Sequence, residues 1–209
     1  ILRQCPVIAI PKKTPDLCVS YDTAIKAVPE LVHKELVCVD VPMTKDRDQR
    51  ERPYEEGARQ IGDRLSKGQD VALLTIGDST IYASDMYLIR LVKAMGYEVE
   101  MVNGVPSFCA AAARLKISLG EREEQIHILP GSYQVEEGLR LPGVKILMKT
   151  GRSYEKVKEL LKAGEYEVKM AENCGMAGEK VYGSLEEMPP KAGYYSLMIV
   201  RDRKTGREP

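Results

Sequence analysis

The chain has 209 residues, of which 31 are basic and 31 are acidic, so its formal net charge at neutral pH is zero. A balanced charge provides no global field for nucleic acid or an anionic membrane, and partners must be recognised locally. No apolar run approaches the roughly 20 residues that span a bilayer, and the start resembles neither a signal peptide nor a targeting helix. We therefore expect a cytoplasmic protein without a nucleic-acid or membrane partner.

The five cysteines have no paired spacing, and most of them lie in apolar stretches, which predicts reduced thiols in the core. They are Cys5, Cys18, Cys38, Cys109 and Cys174. With two histidines in the chain, a zinc site built by the protein is not expected. We expect no protein-bound metal.

Strand-like runs fall into two sets along the chain, which predicts an α/β protein. The first set is 7–10, 36–40, 71–76 and 98–102, with helices at 22–33 and 53–67 between its members. The second set is 125–129, 144–148, 166–170 and 195–200. The hinge between the sets is predicted near 103–106.

Residues 70–114 are the most informative segment of the chain. The strand at 71–76 ends at Gly77, and the apolar spacing from Ile81 to Met95 predicts a helix. The alternating segment 98–102 then completes a parallel strand, helix and strand unit. Ligands of open sheets lie beyond the carboxyl ends of strands, which nominates the turn that follows 71–76.

That turn consists of Gly77, Asp78, Ser79 and Thr80. Gly77 lets the backbone approach a ligand closely, and Asp78 can accept hydrogen bonds from ribose hydroxyls or an amine. The turn therefore suits an adenosyl or nucleotide-like ligand. An ordinary strand-to-helix turn, with Asp78 or Ser79 as the helix cap, explains the same residues.

A second signal lies in the helix start that follows Gly104. Ser107 can cap a helix whose next turn is the alanine run 110–113. Four small side chains leave room for a ligand to lie close, although tight helix packing explains them equally well.

Together, these two motifs resemble a known family. GDSTIY and NGVPSFCAAAARLKISL, with AIPKK, VPMTKD and ENCGMAGEKVYGSLEE on either side, are similar to the tetrapyrrole methylases of corrin biosynthesis. Within them, the branch that methylates C-20 of precorrin-2 or cobalt-factor II is the most similar. The resemblance covers nearly the whole chain in order.

The resemblance implies two α/β domains of the class III methyltransferase type, 1–103 and 104–209, with the ligand cleft between them. It also implies S-adenosylmethionine as methyl donor, a tetrapyrrole as acceptor and a homodimer as the working form.

Residues of the family motifs carry over to this chain position by position. The implied donor-binding residues are Gly77, Asp78, Ser79, Thr80, Tyr82, Pro106, Ser107, Met148, Cys174 and Ala177. An acceptor rich in carboxylates calls for cations, and Lys12, Lys13, Lys45 and Arg47 are candidates, although each also suits a solvated surface, Arg47 above all.

Proton transfer is assigned to a short stretch just after the ligand turn. Asp85 and Tyr82 are the candidates, with Tyr87 close by. For Asp85 the alternative is an exposed acid in the first turn of a helix, where the helix dipole stabilises it.

One departure from the family concerns the start of the chain. Family members open with a strand and a glycine-rich GxGPGDP loop that borders the substrate cleft, whereas this sequence opens with ILRQCPVIAIPKK. We expect a chain without that loop to bind the donor and turn over poorly. A smaller departure is Ser79, where many relatives have proline.

Three other functions compete with this interpretation. A sibling methylase, acting on another tetrapyrrole position, an RNA ribose or a protein side chain, would share the donor site. A dinucleotide-dependent oxidoreductase is disfavoured because GxGxxG does not follow a strand anywhere in the sequence. A non-catalytic chain that binds a tetrapyrrole or an adenosyl ligand is the third.

Overall fold

The structure is a computed structural model that describes residues 1–40, 47–131 and 134–203. The chain forms two compact units, Ile1–Gly104 and Val105–Pro209. Each unit combines helices with its own sheet, so the predicted α/β class is confirmed. None of the helices in the described ranges is both long enough and apolar enough to cross a membrane.

In the first unit, strands and helices alternate along the described residues. They are β1 Val7–Ile10, α1 Val19–Ala27, β2 Glu35–Cys38, α2 Arg47–Leu65, β3 Val71–Leu73 and α3 Asp85–Ala94, with 3-10 turns at Pro15–Leu17 and Pro29–His33. The sheet is parallel, in the order β2-β1-β3. Every residue of the central strand β1 is buried, as expected when both faces of a parallel sheet are covered.

The predicted helix at 22–33 is wrong in its second half. Helix α1 ends at Ala27, and a 3-10 turn begins at Pro29. Proline restricts the residue before it to extended conformations, and Val28 has φ −136° and ψ 79°. Helix α2, in contrast, begins at Arg47, before its predicted start at Pro53.

The predicted strand at 98–102 is also wrong, because these residues join neither sheet of the described chain. Tyr97 and Val99 pack against the core of the first unit, whereas Glu98 and Glu100 are exposed. The alternation therefore reflects one-sided packing of an irregular segment and no backbone pairing.

The second unit holds a mixed sheet. Its described elements are α4 Ser107–Leu115, β4 Ile126–Pro130, α5 Val135–Leu139, β5 Val144–Met148, α6 Tyr154–Ala163, β6 Tyr166–Glu172, β7 Lys180–Tyr182 and β8 Ser196–Asp202, with a 3-10 turn at Gly151–Ser153. The strand order is β4-β5-β8-β6-β7. Strands β4 and β5 are parallel, and the remaining neighbours are antiparallel. All four predicted strands of this set are confirmed, and the short edge strand β7 was missed.

A lysine lies inside the sheet of the second unit. The Lys145 side chain is fully buried on β5, and its Nζ lies 2.5 Å from Oδ1 of Asp202 on β8. The same Nζ lies 5.6 Å from the centre of the Tyr166 ring. The ammonium is thus compensated by a carboxylate and an aromatic face, as a buried charge requires.

Candidate functional site

The turn at Gly77 lies at the carboxyl edge of the first sheet. Because β1 and β3 are parallel neighbours, the residues that follow them meet at the same edge. Lys12 and Lys13 follow β1, and Gly77 to Thr80 follow β3. Gly77 has φ +77°, a left-handed conformation that glycine adopts without strain. The structure therefore brings the predicted donor turn and two predicted acceptor-binding lysines to one edge.

The Asp78 carboxylate organises this turn. Oδ1 accepts hydrogen bonds from the backbone N–H of Thr80 at 2.8 Å and from its hydroxyl at 2.5 Å. Oδ2 accepts one from the backbone N–H of Gly104 at 2.9 Å. The bonds from Thr80 and Gly104 lower the pKa of Asp78 below its ordinary value, so the group is anionic at neutral pH.

The bond to Gly104 is accompanied by a close backbone approach. A Cβ placed on Gly104 would lie 1.9 Å from the carbonyl oxygen of Gly77 and 3.2 Å from the Cα of Asp78. Only glycine fits there. The segment before α4 is therefore held against the donor turn by both shape and hydrogen bonding.

Neither Asp78 nor Ser79 caps a helix. Helix α3 begins at Asp85, and its N-cap residue is Ser84, without a side-chain capping bond. The alternative interpretation of the turn as a helix start is therefore wrong. Tyr82 lies between the turn and the helix with φ +50° and 45% exposure. A left-handed backbone at a bulky residue carries strain.

Asp85 is buried, which contradicts the interpretation as an exposed helix-first-turn acid. It is 6% exposed, and Oδ1 has no hydrogen-bond partner in the described part of the chain. Burial raises the pKa of Asp85, although the backbone N–H groups of Asp85 and Met86 oppose this. Burying a carboxyl group without all of its hydrogen bonds costs free energy. Such a group in a folded protein is therefore a candidate for a functional role.

In the second unit, Met148 and the loop that follows β6 lie at the same sheet edge. Met148 ends β5 and pairs with Leu197 of β8, and Ala171 of β6 pairs with Leu197 from the other side. The two strand ends therefore flank the start of β8. Cys174 is half-buried in the loop, and Ala177 is exposed.

The loop 173–178 is held by Glu179. The Glu179 carboxylate accepts a hydrogen bond from the backbone N–H of Gly175 at 2.6 Å and one from Nε of Arg114 at 2.7 Å. These bonds, that from Arg114 above all, lower the pKa of Glu179. Burial raises the pKa of the Cys174 thiol, and the Glu179 carboxylate raises it further.

Helix α4 begins one residue earlier than a Ser107 cap would require. Pro106 is the N-cap, and Ser107 is the first helical residue without a side-chain capping bond, so the predicted Ser107 cap is wrong. In the alanine run, Ala111 and Ala112 are buried, so they serve packing. Cys109 on the same helix is exposed, contrary to the predicted core position.

The side chains of two predicted acceptor-binding residues, Lys45 and Arg47, lie outside the described part of the structure. The same holds for the whole VPMTKD segment 41–46. Lys12 is half-buried and Lys13 is exposed. Across the described ranges, His, Cys, Asp and Glu side chains form no group of three or more that could hold a metal ion.

The sequence did not predict the residues that hold the turn 77–80 and the loop 173–178 in place through hydrogen bonds. Gly104 was noted only as the start of a helix signal, and its Gly-Val-Pro context gave no sign of contact with Asp78. Arg114 and Glu179 are 65 residues apart, and neither is unusual in its local sequence.

Comparison with known proteins supports the family resemblance of the sequence motifs. A model of the family Tetrapyrrole (Corrin/Porphyrin) Methylases matches residues 1–189. The "Probable cobalt-precorrin-2 C(20)-methyltransferase" of Methanocaldococcus jannaschii is 33% identical over 163 residues, which are 77% of this chain and 70% of the relative. The "Cobalt-precorrin-2 C(20)-methyltransferase" of Salmonella typhimurium is 26% identical over 173 residues, which are 79% of this chain and 73% of the relative.

A solved structure is similar in fold. The uroporphyrin-III C-methyl transferase from Thermus thermophilus, complexed with S-adenyl homocysteine, matches with a TM-score of 0.61 and 18% identity. The match covers 96% of this chain and 87% of the other. The family model and the curated relatives identify an α/β methyltransferase. The chain belongs to the tetrapyrrole (corrin/porphyrin) methylase family.

Proposed function

We propose that this protein transfers a methyl group from S-adenosylmethionine to C-20 of precorrin-2 or cobalt-factor II in cobalamin biosynthesis. The observation that carries the proposal is the donor turn, in which an anionic Asp78 is bonded to the backbone of Gly104 at 2.9 Å. The relatives from Methanocaldococcus jannaschii and Salmonella typhimurium, which are named for C-20 methylation, support the choice of acceptor position.

The donor turn suits an adenosyl ligand. An ionised carboxylate offers about four acceptor positions, and Asp78 uses three of them on Thr80 and Gly104. One position is left for a donor group of the ligand, such as an amine or a ribose hydroxyl. The negative charge also favours a ligand that carries a sulfonium and an ammonium group.

S-adenosylmethionine supplies an electrophilic methyl group, which bonds to C-20 as the carbon–sulfur bond breaks and its electron pair stays on sulfur. The chain then has two tasks. The donor-binding residues that the family resemblance implies hold the donor in line with C-20 and exclude water. A basic group accepts the proton that C-20 loses.

We assign Asp85 as the base that accepts this proton. Tyr82 would relay the proton from the acceptor to Asp85. Burial raises the pKa of the Asp85 carboxyl, which makes its carboxylate a stronger base than an exposed one. Tyr82 follows the donor turn directly and is 45% exposed, so the residue is partly accessible from solvent.

The acceptor is expected to be held by cations at the same sheet edge. Its acetate and propionate groups suit Lys12 and Lys13, and Lys45 is a further candidate on sequence grounds. Both relatives are named for cobalt-precorrin-2, so we infer that the cobalt-containing acceptor is preferred over metal-free precorrin-2.

The predicted assembly and compartment belong to the same proposal. We infer a homodimer from the family resemblance, with functional domains at 1–103 and 104–209. The five cysteines are all free thiols, which supports a reducing cytoplasm. Size-exclusion chromatography with light scattering tests the dimer directly.

The deciding experiment offers the protein carbon-13-methyl S-adenosylmethionine with precorrin-2 or cobalt-factor II in parallel. We expect slow but detectable release of S-adenosylhomocysteine and one labelled methyl carbon at C-20, identified by mass spectrometry and NMR. Donor binding is measured separately by calorimetry with S-adenosylhomocysteine.

The outcomes separate the competing functions. Methylation at a different carbon identifies a sibling methylase and overturns the C-20 assignment. Donor binding without methylation of either acceptor contradicts the assignment and supports the non-catalytic alternative. Absence of donor binding overturns the proposal as a whole.

A further inference from the structure

The Glu179 carboxylate accepts three hydrogen bonds in the second unit. Its Oε1 accepts hydrogen bonds from Nε and Nη2 of Arg114, and its Oε2 accepts one from the backbone N–H of Gly175. The Glu179 side chain is only 18% exposed, whereas Arg114 is 61% exposed. A two-pronged guanidinium contact of this kind fixes orientation as well as charge.

The loop that Glu179 holds has an uncommon backbone. Asn173, Gly175 and Gly178 have φ values of +51°, +74° and +76°. Left-handed residues cost free energy unless surrounding bonds stabilise them. Here the Asn173 backbone N–H donates to Tyr195 at 3.0 Å, and the Met176 N–H donates to Asn173 at 2.9 Å. Within the loop, Gly175 receives its support from Glu179.

Arg114 brings a second element into the same arrangement. It lies in the last turn of α4, the helix that begins at Ser107 after Pro106. Helix α4 packs against β6, β7 and β8. The ion pair of Arg114 with Glu179 therefore joins the helix that carries two proposed donor-binding residues to the loop that carries Cys174 and Ala177.

We propose that Glu179 is a positioning residue, held by Arg114, which fixes the loop 174–177 in the conformation that binds the methyl donor. The inference rests on the proposed function, because the donor is the ligand of that loop. It assigns no contact of Glu179 with the donor. Its effect passes through the backbone N–H of Gly175.

The test is the binding of S-adenosylhomocysteine to Glu179→Gln and Arg114→Lys proteins. A glutamine keeps the size of Glu179 but turns an NH2 group toward one of the donors it served. We expect Glu179→Gln to weaken binding about tenfold. Arg114→Lys keeps the positive charge but loses the planar guanidinium that makes two hydrogen bonds, and should weaken binding about threefold. The KM for S-adenosylmethionine should rise in parallel, with kcat nearly unchanged.

The matched control is Glu136→Gln, which removes a surface ion pair with Lys156 in the same unit. Its donor affinity should stay at the wild-type value. The alkylation rate of Cys174, followed by peptide mass spectrometry at fixed pH, reports on the loop without any ligand. We expect it to rise in Glu179→Gln, because the carboxylate that raises the Cys174 pKa is gone.

The outcomes are distinct. If wild-type protein fails to bind S-adenosylhomocysteine, the proposed function fails. If wild-type binds and Glu179→Gln binds equally well, the positioning role is wrong. A fall in kcat at unchanged KM, or a loss of thermal stability that alone accounts for the weaker binding, also overturns it.

Discussion

The Asp78 carboxylate accepts a hydrogen bond from the backbone N–H of Gly104, 26 residues later in the chain, at 2.9 Å. The same carboxylate closes its own turn on Thr80. One side chain therefore sets both the shape of the turn 77–80 and the position of Gly104 beside it. Two of the predictions below follow from this arrangement.

Replacing Asp78 by asparagine should weaken the binding of S-adenosylhomocysteine. The amide keeps the size of the side chain, but it has no charge. Its NH2 group also replaces one of the two oxygens that accept from the backbone N–H groups of Thr80 and Gly104. We expect a loss of roughly tenfold in affinity, as for other hydrogen bonds to charged groups, measured by calorimetry.

The matched control for that change is Asp70→Asn. Asp70 is exposed and directly precedes β3, so the same substitution at the opposite end of the strand should leave affinity unchanged. Equal affinity in the Asp78 and Asp70 variants would show that the turn does not bind the donor.

Adding a methyl group at Gly104 should disrupt the first unit locally. The Cβ of Gly104→Ala would lie 1.9 Å from the carbonyl oxygen of Gly77, so the two backbone segments must separate. We expect the free energy of unfolding to fall by about 3 kcal/mol, with a loss of donor binding. Chemical denaturation measures the first effect.

Gly183→Ala is the control for that prediction. A Cβ at Gly183 would lie 3.5 Å or more from its nearest neighbours, which belong to Glu187. It should change stability little. A Gly104→Ala protein as stable as Gly183→Ala would contradict the close approach of the two glycines.

The buried Asp85 should make stability depend on pH. Its pKa is raised by burial, so the neutral form stabilises the fold fully below the unfolded-state pKa, and this contribution is lost as pH rises through the folded-state value. Asp85→Asn should therefore be more stable than wild type at pH 8, by about 1 kcal/mol, with the difference vanishing toward pH 4.

Thermal unfolding across that pH range measures the effect, with the exposed Asp70→Asn as control. An Asp85→Asn protein less stable than wild type at pH 8 would show that the helix N-terminus stabilises the charged carboxylate. For the proposed proton transfer, the same variant should lower kcat while S-adenosylhomocysteine binding stays unchanged.

The free energy of unfolding should fall more when Asp202 is removed than when its buried partner Lys145 is replaced. Asp202→Ala leaves a fully buried ammonium without its carboxylate and should cost about 2 kcal/mol, less than for a fully buried pair because Asp202 is 45% exposed. Lys145→Met fills the same space without charge and should be nearly neutral, since Asp202 can be hydrated. Denaturation midpoints compare the two; equal losses would contradict this account.

Sequence patterns predicted the strands well where burial and periodicity agree. The runs at 7–10 and 144–148 match β1 and β5 residue for residue. A strand covered on both faces reads as a nearly continuous apolar run, and Lys145 is the one charged residue in these two strands. The pattern failed at 98–102, where Tyr97 and Val99 pack on the core without a strand beside them. Side-chain alternation reports burial and carries no information about backbone partners.

The candidate site was predicted only in part, and for a similar reason. Gly77 and Asp78 were predicted as site residues because a turn after a strand is a local signal, and their role in donor binding stays a prediction. The carboxylate's partner at Gly104 and the ion pair of Arg114 with Glu179 depend on which elements pack together. Nothing in the local spacing of a single sequence encodes such contacts. The burial of Asp85 was missed because a charged residue is expected on the surface.

The left-handed residues at 173, 175 and 178 also bear on the thermodynamics of ligand capture. A loop already fixed by Glu179 and Tyr195 has lost its conformational entropy during folding, before any ligand arrives. The proposed binding of the methyl donor at this loop then has little ordering left to oppose it. A more flexible loop would lose conformational entropy each time a ligand bound. The affinity of the protein for that ligand would then fall more steeply as temperature rises.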